Sequence, residues 1–185
     1  IGVRGELPTV IYDDRGAVNA SRLWWILSNY GIDNAFILNG GVRSWDSIPA
    51  SRTTEITDLP PSEFEIVRIP NEITVATLDD VLVAMEDPNS VILDTRTLDE
   101  FNGTIKKDGA GRAGRIPGSI FLDWAYSIDY HNDQRFFDED SLRVIYERIG
   151  VTPDKHVITY CQSGTRSAHT LFALTQLLGF TEVKN

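Results

Sequence analysis

The chain has 185 residues, of which 42% are hydrophobic and 10% aromatic, and its formal net charge at pH 7 is −10. This apolar content is sufficient for a packed core and excludes a disordered chain. An acidic surface repels a phosphate backbone, so we expect no nucleic-acid partner. No apolar run approaches the roughly 18 residues that a membrane helix needs, so we expect no membrane partner either.

Two segments of the chain match without a gap, in a register that aligns Tyr12 with Tyr160 and Gly16 with Gly164. Each copy has the pattern of a short buried strand, a glycine-containing loop, a helix, a glycine and a second strand. We therefore predict two related α/β units. In chain order, the predicted elements are strand 9–12, helix 20–30, strand 35–38, turn 39–41, helix 78–86, strand 90–94, helical turn 98–101, helix 139–149, strand 156–160 and helix 167–178.

The repeat also predicts how the chain is divided. We expect residues 1–50 to be the C-terminal part of one domain and residues 72–185 to be most of a second. Between them, residues 51–71 are rich in Ser, Thr, Pro and Glu, which is typical of a linker. The second copy stops where its last strand is expected, so we expect a chain that is cut at both ends.

The chain has one cysteine, Cys161, and three histidines. A single thiol cannot close an internal disulfide, and this set of side chains argues against a zinc site, so we expect neither a metal nor another cofactor. A lone thiol survives best in a reducing compartment, and the N-terminus shows no signal peptide. Both points favour a cytoplasmic location.

The position of Cys161 favours a reactive thiolate. The residue begins a loop that leads from a strand into a helix, where backbone N–H groups and the helix dipole attract an anion. Such a setting lowers the pKa of a thiol, and Arg166 adds a fixed positive charge. Gly164 permits a backbone conformation that side chains forbid, while Ser163 and Thr165 offer hydroxyl donors. We predict that Cys161 is a catalytic nucleophile.

The alternative to a nucleophile is a small buried cysteine in the core. The polar residues that follow Cys161 argue against that interpretation, because a core position is not followed by a run of small, polar and charged side chains. Cysteine phosphatases and arsenate reductases use a Cys-x5-Arg loop, whereas Arg166 makes this one Cys-x4-Arg. The smaller loop suits a persulfide sulfur better than a phosphate. The candidate substrate-binding residues are Gln162, Ser163, Gly164, Thr165 and Arg166.

Several motifs carry a resemblance to a known family. They are Tyr-Cys-Gln-Ser-Gly-Thr-Arg-Ser-Ala-His at 160–169, Leu-Asp-Thr-Arg at 93–96, Glu-Phe-Asn-Gly at 100–103, Gly-Arg-Ile-Pro-Gly-Ser at 114–119 and Leu-Asn-Gly-Gly at 38–41. Together they resemble the rhodanese family, specifically its tandem-domain sulfurtransferases. The resemblance departs at Arg115, where the family usually has a histidine.

The resemblance implies an α/β fold with a parallel sheet flanked by helices in each of two related domains, the first only partly present. It also implies a two-step reaction in which Cys161 takes a sulfane sulfur from a small-molecule donor, becomes a persulfide, and passes the sulfur to cyanide or a thiol. The first copy carries Asp13 in place of the cysteine. We expect that copy to be catalytically silent, with Asp13 as a satisfied acceptor in an amide-lined loop.

The sequence is compatible with two compounds as the sulfur donor. Thiosulfate is favoured because a fixed cation at Arg166 suits a dianion, which predicts a thiosulfate sulfurtransferase. The pair Ser163-Gly164 resembles the loop of 3-mercaptopyruvate sulfurtransferases, which is the alternative. A phosphatase or arsenate reductase, and a sulfur carrier without turnover, are the alternatives from other classes.

Other polar residues have more ordinary interpretations. We expect Asp94 and Arg96 to form a structural ion pair. Arg112 and Arg115 either reach the anion site or lie in solvent. His169 falls in the first turns of the helix after the cysteine, and we expect it to point away from the sulfur. The tryptophans are expected to pack in the core or between domains: Trp24, Trp25 and Trp45.

Overall fold

The computed structural model describes residues 7–49, 52–56, 58 and 74–185, and these residues form an α/β fold. Most of the predicted linker at 51–71 lies outside the described residues. The elements in chain order are β1 (Thr9–Ile11), α1 (Val18–Asn29), β2 (Ala35–Ile37), α2 (Gly41–Asp46), α3 (Leu78–Glu86), β3 (Ser90–Asp94), α4 (Leu98–Asn102), β4 (Ile120–Phe121), α5 (Glu139–Glu147), β5 (His156–Tyr160), α6 (Thr165–Phe172) and β6 (Val183–Lys184).

All described strand pairs are parallel, as predicted. Strands β1 and β2 pair with each other, and a second sheet has the order β4-β3-β5-β6. In that sheet Asp94, the last residue of β3, is the partner of Tyr160, the last residue of β5. The carboxyl ends of the two central strands therefore lie side by side, at the sheet edge where α/β proteins bind their ligands.

The predicted repeat is present in three dimensions. Strand β1, helix α1 and strand β2 follow one another as β5, α6 and β6 do. The strand expected at the end of the second copy is present as β6. Both helices begin earlier than predicted, because Ala17 and Gly164 adopt left-handed conformations, with φ of 67° and 80°, and cap the helices directly. Helix α6 continues into a π-helical turn at Ala173–Leu177.

Three short elements were not predicted. The sequence predicts only a turn at 39–41, whereas in the structure Gly41 starts helix α2. Strand β4 has two residues and is followed by a 3-10 turn at Trp124–Ser127. Elements this short contain too few residues to show a hydrophobic period.

One hydrophobic core contains residues from both halves of the chain. Helix α1 packs on α6, and Trp24 contacts Phe172 edge to face, with ring centroids 4.9 Å apart. Leu93 of β3 belongs to the same buried cluster. Core packing is confirmed for Trp24, and Trp25 packs against the same cluster while partly buried. Trp45 is 39% exposed and lies outside this core, so of the two predicted positions only packing between domains stays a prediction for it.

No helix in the described part of the chain is both long and apolar enough to cross a membrane.

The core predicts a contrast between two leucine variants. Leu142 of α5 is fully buried, whereas Leu78 at the start of α3 is 72% exposed. Leu142→Ala should lower the free energy of unfolding by about 2–5 kcal/mol, because it removes buried methyl groups and leaves a cavity. Leu78→Ala should change it by less than about 0.5 kcal/mol. Urea denaturation followed by circular dichroism measures both, and equal losses would show that the core is misassigned.

Candidate active site

Cys161 lies immediately after β5, at the start of the loop that leads into α6. Its sulfur accepts a hydrogen bond from the backbone N–H of Gly164 at 3.1 Å and one from the hydroxyl of Ser167 at 3.4 Å. Gly164 is the residue that caps α6, and its φ of 80° is easily reached only without a side chain. The loop therefore turns its N–H groups toward the sulfur, as predicted.

These donors favour the thiolate form. Burial on its own would raise the pKa of Cys161, but the Ser167 hydroxyl and the backbone N–H groups of Ser167, Ser163 and Arg166 outweigh it. The net result is a pKa of the Cys161 thiol below its ordinary value. Because the thiolate is the nucleophilic form of cysteine, this direction of the pKa shift favours the predicted role of Cys161 as a nucleophile.

Arg166 is held by an ion pair that the sequence did not reveal. Its guanidinium donates two hydrogen bonds to Glu100, with N–O distances of 2.6 Å and 3.0 Å. Glu100 is 1% exposed, and the hydrogen bond from Arg166 is the main reason that its pKa falls to about 2. The charge of Arg166 is therefore compensated, and its expected role in substrate binding stays a prediction.

The local sequence contains one signal for the position of Glu100. Thr97 and Glu100 form a capping box: the Thr97 hydroxyl accepts the N–H of Glu100, and the Glu100 carboxylate accepts the N–H of Thr97. A Thr-x-x-Glu pattern before a short helix predicts this arrangement. It orients the carboxylate at the start of α4, from where it reaches Arg166.

Asp94 and Arg96 form the structural ion pair that was predicted. Arg96 bonds both oxygens of Asp94, at distances of 2.6 Å to 3.2 Å, and the hydroxyl of Tyr160 donates to the same carboxylate at 2.6 Å. Arg96 also donates to the carbonyl of Gly114 at 2.8 Å. The pair therefore joins the ends of β3 and β5 to the glycine-rich loop.

A pocket of about 450 Å³ opens above Cys161. Gln162 and Ser163 line it. The side-chain amide of Gln162 donates to the carbonyl of Asp108 at 2.6 Å, which connects the loop before β4 to the loop that begins with Cys161. Four cationic side chains line this pocket. Arg96 is paired with Asp94, and the other three form no ion pair with another described residue: Lys106, Lys107 and Arg112. A chain with a net charge of −10 thus concentrates positive charge at the mouth of this site.

The other predicted residues lie as follows. Thr165 and Ser163 place their hydroxyl oxygens 3.3 Å apart. Arg115 stacks its guanidinium on the ring of Phe101 at 4.2 Å and is not among the residues that line the pocket. Of the two arginines for which the sequence left both interpretations open, only Arg112 lines the pocket.

The first copy of the repeat contains a similar loop, whose N–H groups bind a side chain of the loop itself. The Asp13 carboxylate accepts four backbone hydrogen bonds: from Arg15 at 2.9 Å and Ala17 at 2.8 Å to one oxygen, and from Asn19 at 2.8 Å and Ala20 at 3.0 Å to the other. This confirms Asp13 as a satisfied acceptor. In the first copy, the carboxylate of Asp13 therefore occupies the position in which the loop N–H groups would bind an anion.

His169 has a structural position. Its ring is fully buried and stacks on Phe136 at 4.5 Å. Its Nε2 lies 3.0 Å from the carbonyl of Gly16, in the loop of the first copy. Burial lowers the pKa of His169 to about 3, so the ring is neutral at physiological pH. Among the described residues, no group of three or more His, Cys, Asp and Glu side chains is placed to hold a metal ion.

The fold and this loop define an α/β protein in which a cysteine sulfur receives hydrogen bonds at the start of a helix, and comparison with known proteins identifies its family. The model of the rhodanese-like domain matches residues 77–185. The chain belongs to the rhodanese family.

Three relatives illustrate the range of the family. The sulfur carrier protein TtuD of Thermus thermophilus is 31% identical over all of this chain and 67% of its own length. A putative thiosulfate sulfurtransferase of Haloferax volcanii is 32% identical over all of this chain and 65% of its own length. The crystal structure of SseA from Escherichia coli, a 3-mercaptopyruvate sulfotransferase, matches with a TM-score of 0.85 at 30% identity, over 99% of this chain and 66% of that one. The chain therefore spans about two thirds of these relatives.

The pKa of Cys161 gives a test with a matched control. Ser167→Ala removes a hydroxyl that stabilises the thiolate, so it should raise the midpoint of the pH profile for alkylation by iodoacetamide. Ser163→Ala is the control, because the hydroxyl of Ser163 faces Thr165 and only its backbone acts on the sulfur. A midpoint that is the same in Ser167→Ala and the native protein would contradict this geometry.

The Glu100–Arg166 pair predicts a loss of stability. Glu100→Gln leaves a half-buried guanidinium without its partner and should lower the free energy of unfolding at pH 7 by about 3 kcal/mol. The control is Glu139→Gln, which breaks an exposed pair with Arg143 and should cost less than about 1 kcal/mol. Urea denaturation measures both changes.

The same pair predicts the pH dependence of that loss. The pKa of Glu100 is about 2 in the folded protein, below its ordinary 4.5, so its stabilisation is complete above pH 4.5 and is lost as the pH falls toward 2. The difference in stability between native protein and Glu100→Gln should therefore shrink over this interval. A difference that does not change between pH 7 and pH 3 would show that Glu100 is not an ionised partner.

Proposed function

We propose that this protein is a sulfurtransferase that carries a sulfane sulfur on Cys161. The observation that supports this most directly is a cysteine sulfur that receives hydrogen bonds from Gly164 and Ser167 at the start of a helix. Such a loop stabilises a thiolate before the reaction and a persulfide anion after it. Membership of the rhodanese family supports the same reaction class.

The proposed reaction has two displacements on sulfur. The Cys161 thiolate attacks the outer sulfur of thiosulfate, the sulfur–sulfur bond of the donor breaks, and sulfite leaves with the electron pair. Cyanide or a thiolate then attacks the outer sulfur of the persulfide, and the Cys161 thiolate is released. No net oxidation of the protein occurs. The negative charge stays next to the loop N–H groups in both states, which is where they stabilise it best.

The charge of the pocket supports a small anionic donor. Lys106, Lys107 and Arg112 line the pocket beside Cys161, whereas the charge of Arg166 is compensated by Glu100. Coulomb attraction to these cations is about twice as strong for a dianion as for a monoanion at the same position. We therefore propose thiosulfate as the donor. The basis for this choice is the charge of the pocket wall and not the charge of Arg166.

A second candidate donor is 3-mercaptopyruvate. The likeness to SseA, at 30% identity and a TM-score of 0.85, favours it. Here the thiolate attacks the mercapto sulfur, and the carbon–sulfur bond breaks to release the enolate of pyruvate. The likeness to the sulfur carrier protein TtuD favours a third possibility, in which Cys161 holds the sulfur and the protein is a carrier without turnover.

The experiment is a turnover assay with thiosulfate and cyanide. We expect thiocyanate from the native protein and none from Cys161→Ser. Activity retained in Cys161→Ser would contradict the proposal, because the chain contains no second cysteine. Steady hydrolysis of an aryl phosphate without sulfur transfer would instead support a phosphatase.

A further variant tests the choice of donor. Lys107→Gln removes one positive charge from the pocket wall and should lower kcat/KM for thiosulfate several-fold, by more than it lowers kcat/KM for 3-mercaptopyruvate. Lys155→Gln is the control, because Lys155 bonds the carbonyl of Pro88 and does not line the pocket. Higher kcat/KM with 3-mercaptopyruvate than with thiosulfate in the native protein would reject thiosulfate.

A further inference from the structure

The first half of the chain contacts the reactive loop through Arg22. This residue lies on α1, and its Nη1 is 3.5 Å from the carbonyl oxygen of Gly164, in the loop that begins with Cys161. The side-chain amide of Asn185 donates to the same oxygen at 3.2 Å. We infer that Arg22 is a positioning residue for the Cys161 loop, so that the half without a nucleophile contributes to the reactivity of the half that has one.

Gly164 connects Arg22 to the sulfur of Cys161. Its N–H donates to the sulfur of Cys161 at 3.1 Å, while its carbonyl points to Arg22 and Asn185. The N–H and the carbonyl of Gly164 lie on adjacent peptide planes, which the φ and ψ torsions of this residue join. The carbonyl accepts the backbone N–H of Ala168 at 3.2 Å, and the side chains of Arg22 and Asn185 add to that helical bond. Donors on the carbonyl restrain these torsions and so help to hold the N–H in the direction of the sulfur.

Arg22 is itself fixed in place. Its guanidinium stacks over the ring of Trp25 at 4.6 Å, and the side chain is half-buried. A Cβ atom added to Gly164 would lie 2.7 Å from Nη1 of Arg22, so the two residues are in close contact. The φ of 80° at Gly164 favours glycine at this position.

The simpler interpretation is that Arg22 only holds the two halves of the chain together. Arg43 provides the comparison, because it also lies in the first half and donates to a carbonyl of the second, that of Asn132, at 2.7 Å. Asn132 is not part of the reactive loop. A general loss of contact between the halves should therefore affect Arg43 and Arg22 variants alike, whereas positioning of the loop should affect Arg22 variants only.

The experiment compares Arg22→Met with Arg43→Met, since methionine keeps much of the apolar stem and removes the charge and the donors. The rate of Cys161 alkylation by iodoacetamide is measured across pH. We expect Arg22→Met to raise the midpoint of the profile and to slow alkylation several-fold at neutral pH, while Arg43→Met leaves both unchanged. Arg22→Lys, which keeps the charge, should recover part of the rate.

Two results would overturn the inference: a native midpoint in Arg22→Met, or equal shifts in Arg22→Met and Arg43→Met. Where Arg22→Met does not fold, Arg22→Lys carries the test, and an unchanged profile in that variant counts against the inference. The inference shares with the proposed function the assignment of Cys161 as the reactive group. Because alkylation needs no sulfur donor, failure of thiosulfate turnover would reject that substrate and leave the positioning result standing.

Discussion

The hydrogen bonds from the start of α6 to the sulfur of Cys161 are the interaction on which the rest of the structure depends. They exist because β5 ends at the cysteine and Gly164 starts the helix at once, so that N–H groups without helical partners face the sulfur. Glu100 holds Arg166 in the first turn of α6. The pairing of β5 with β3, together with the Asp94–Arg96 pair, fixes the point from which the loop departs.

The two copies of the repeat use a similar loop backbone to bind two different side-chain groups. In the first copy the loop N–H groups bind the carboxylate of Asp13, which is covalently part of the chain. In the second copy the corresponding residue is Cys161, which lines a pocket and is the residue that we propose to carry sulfur. The same backbone arrangement therefore surrounds a carboxylate in one copy and a cysteine sulfur in the other.

Most of what the sequence predicted rests on local patterns. Strands β3 and β5 and helix α3 have the predicted bounds, and the loop at Cys161 and the satisfied Asp13 follow from residues that are close in the chain. The contact between Glu100 and Arg166 joins distant segments, which the pairing of β3 with β5 brings close to each other. The same is true of Arg22 and Gly164, which belong to different halves of the repeat.

The central claim is that Cys161 carries sulfur as a persulfide, and mass spectrometry of the intact protein tests it most directly. The protein is incubated with thiosulfate, freed of the donor, measured, and measured again after cyanide is added. The account predicts a gain equal to one sulfur atom, located on Cys161 by peptide mapping and absent in Cys161→Ser, and its loss with cyanide. An unchanged mass after incubation with thiosulfate and with 3-mercaptopyruvate would contradict the account.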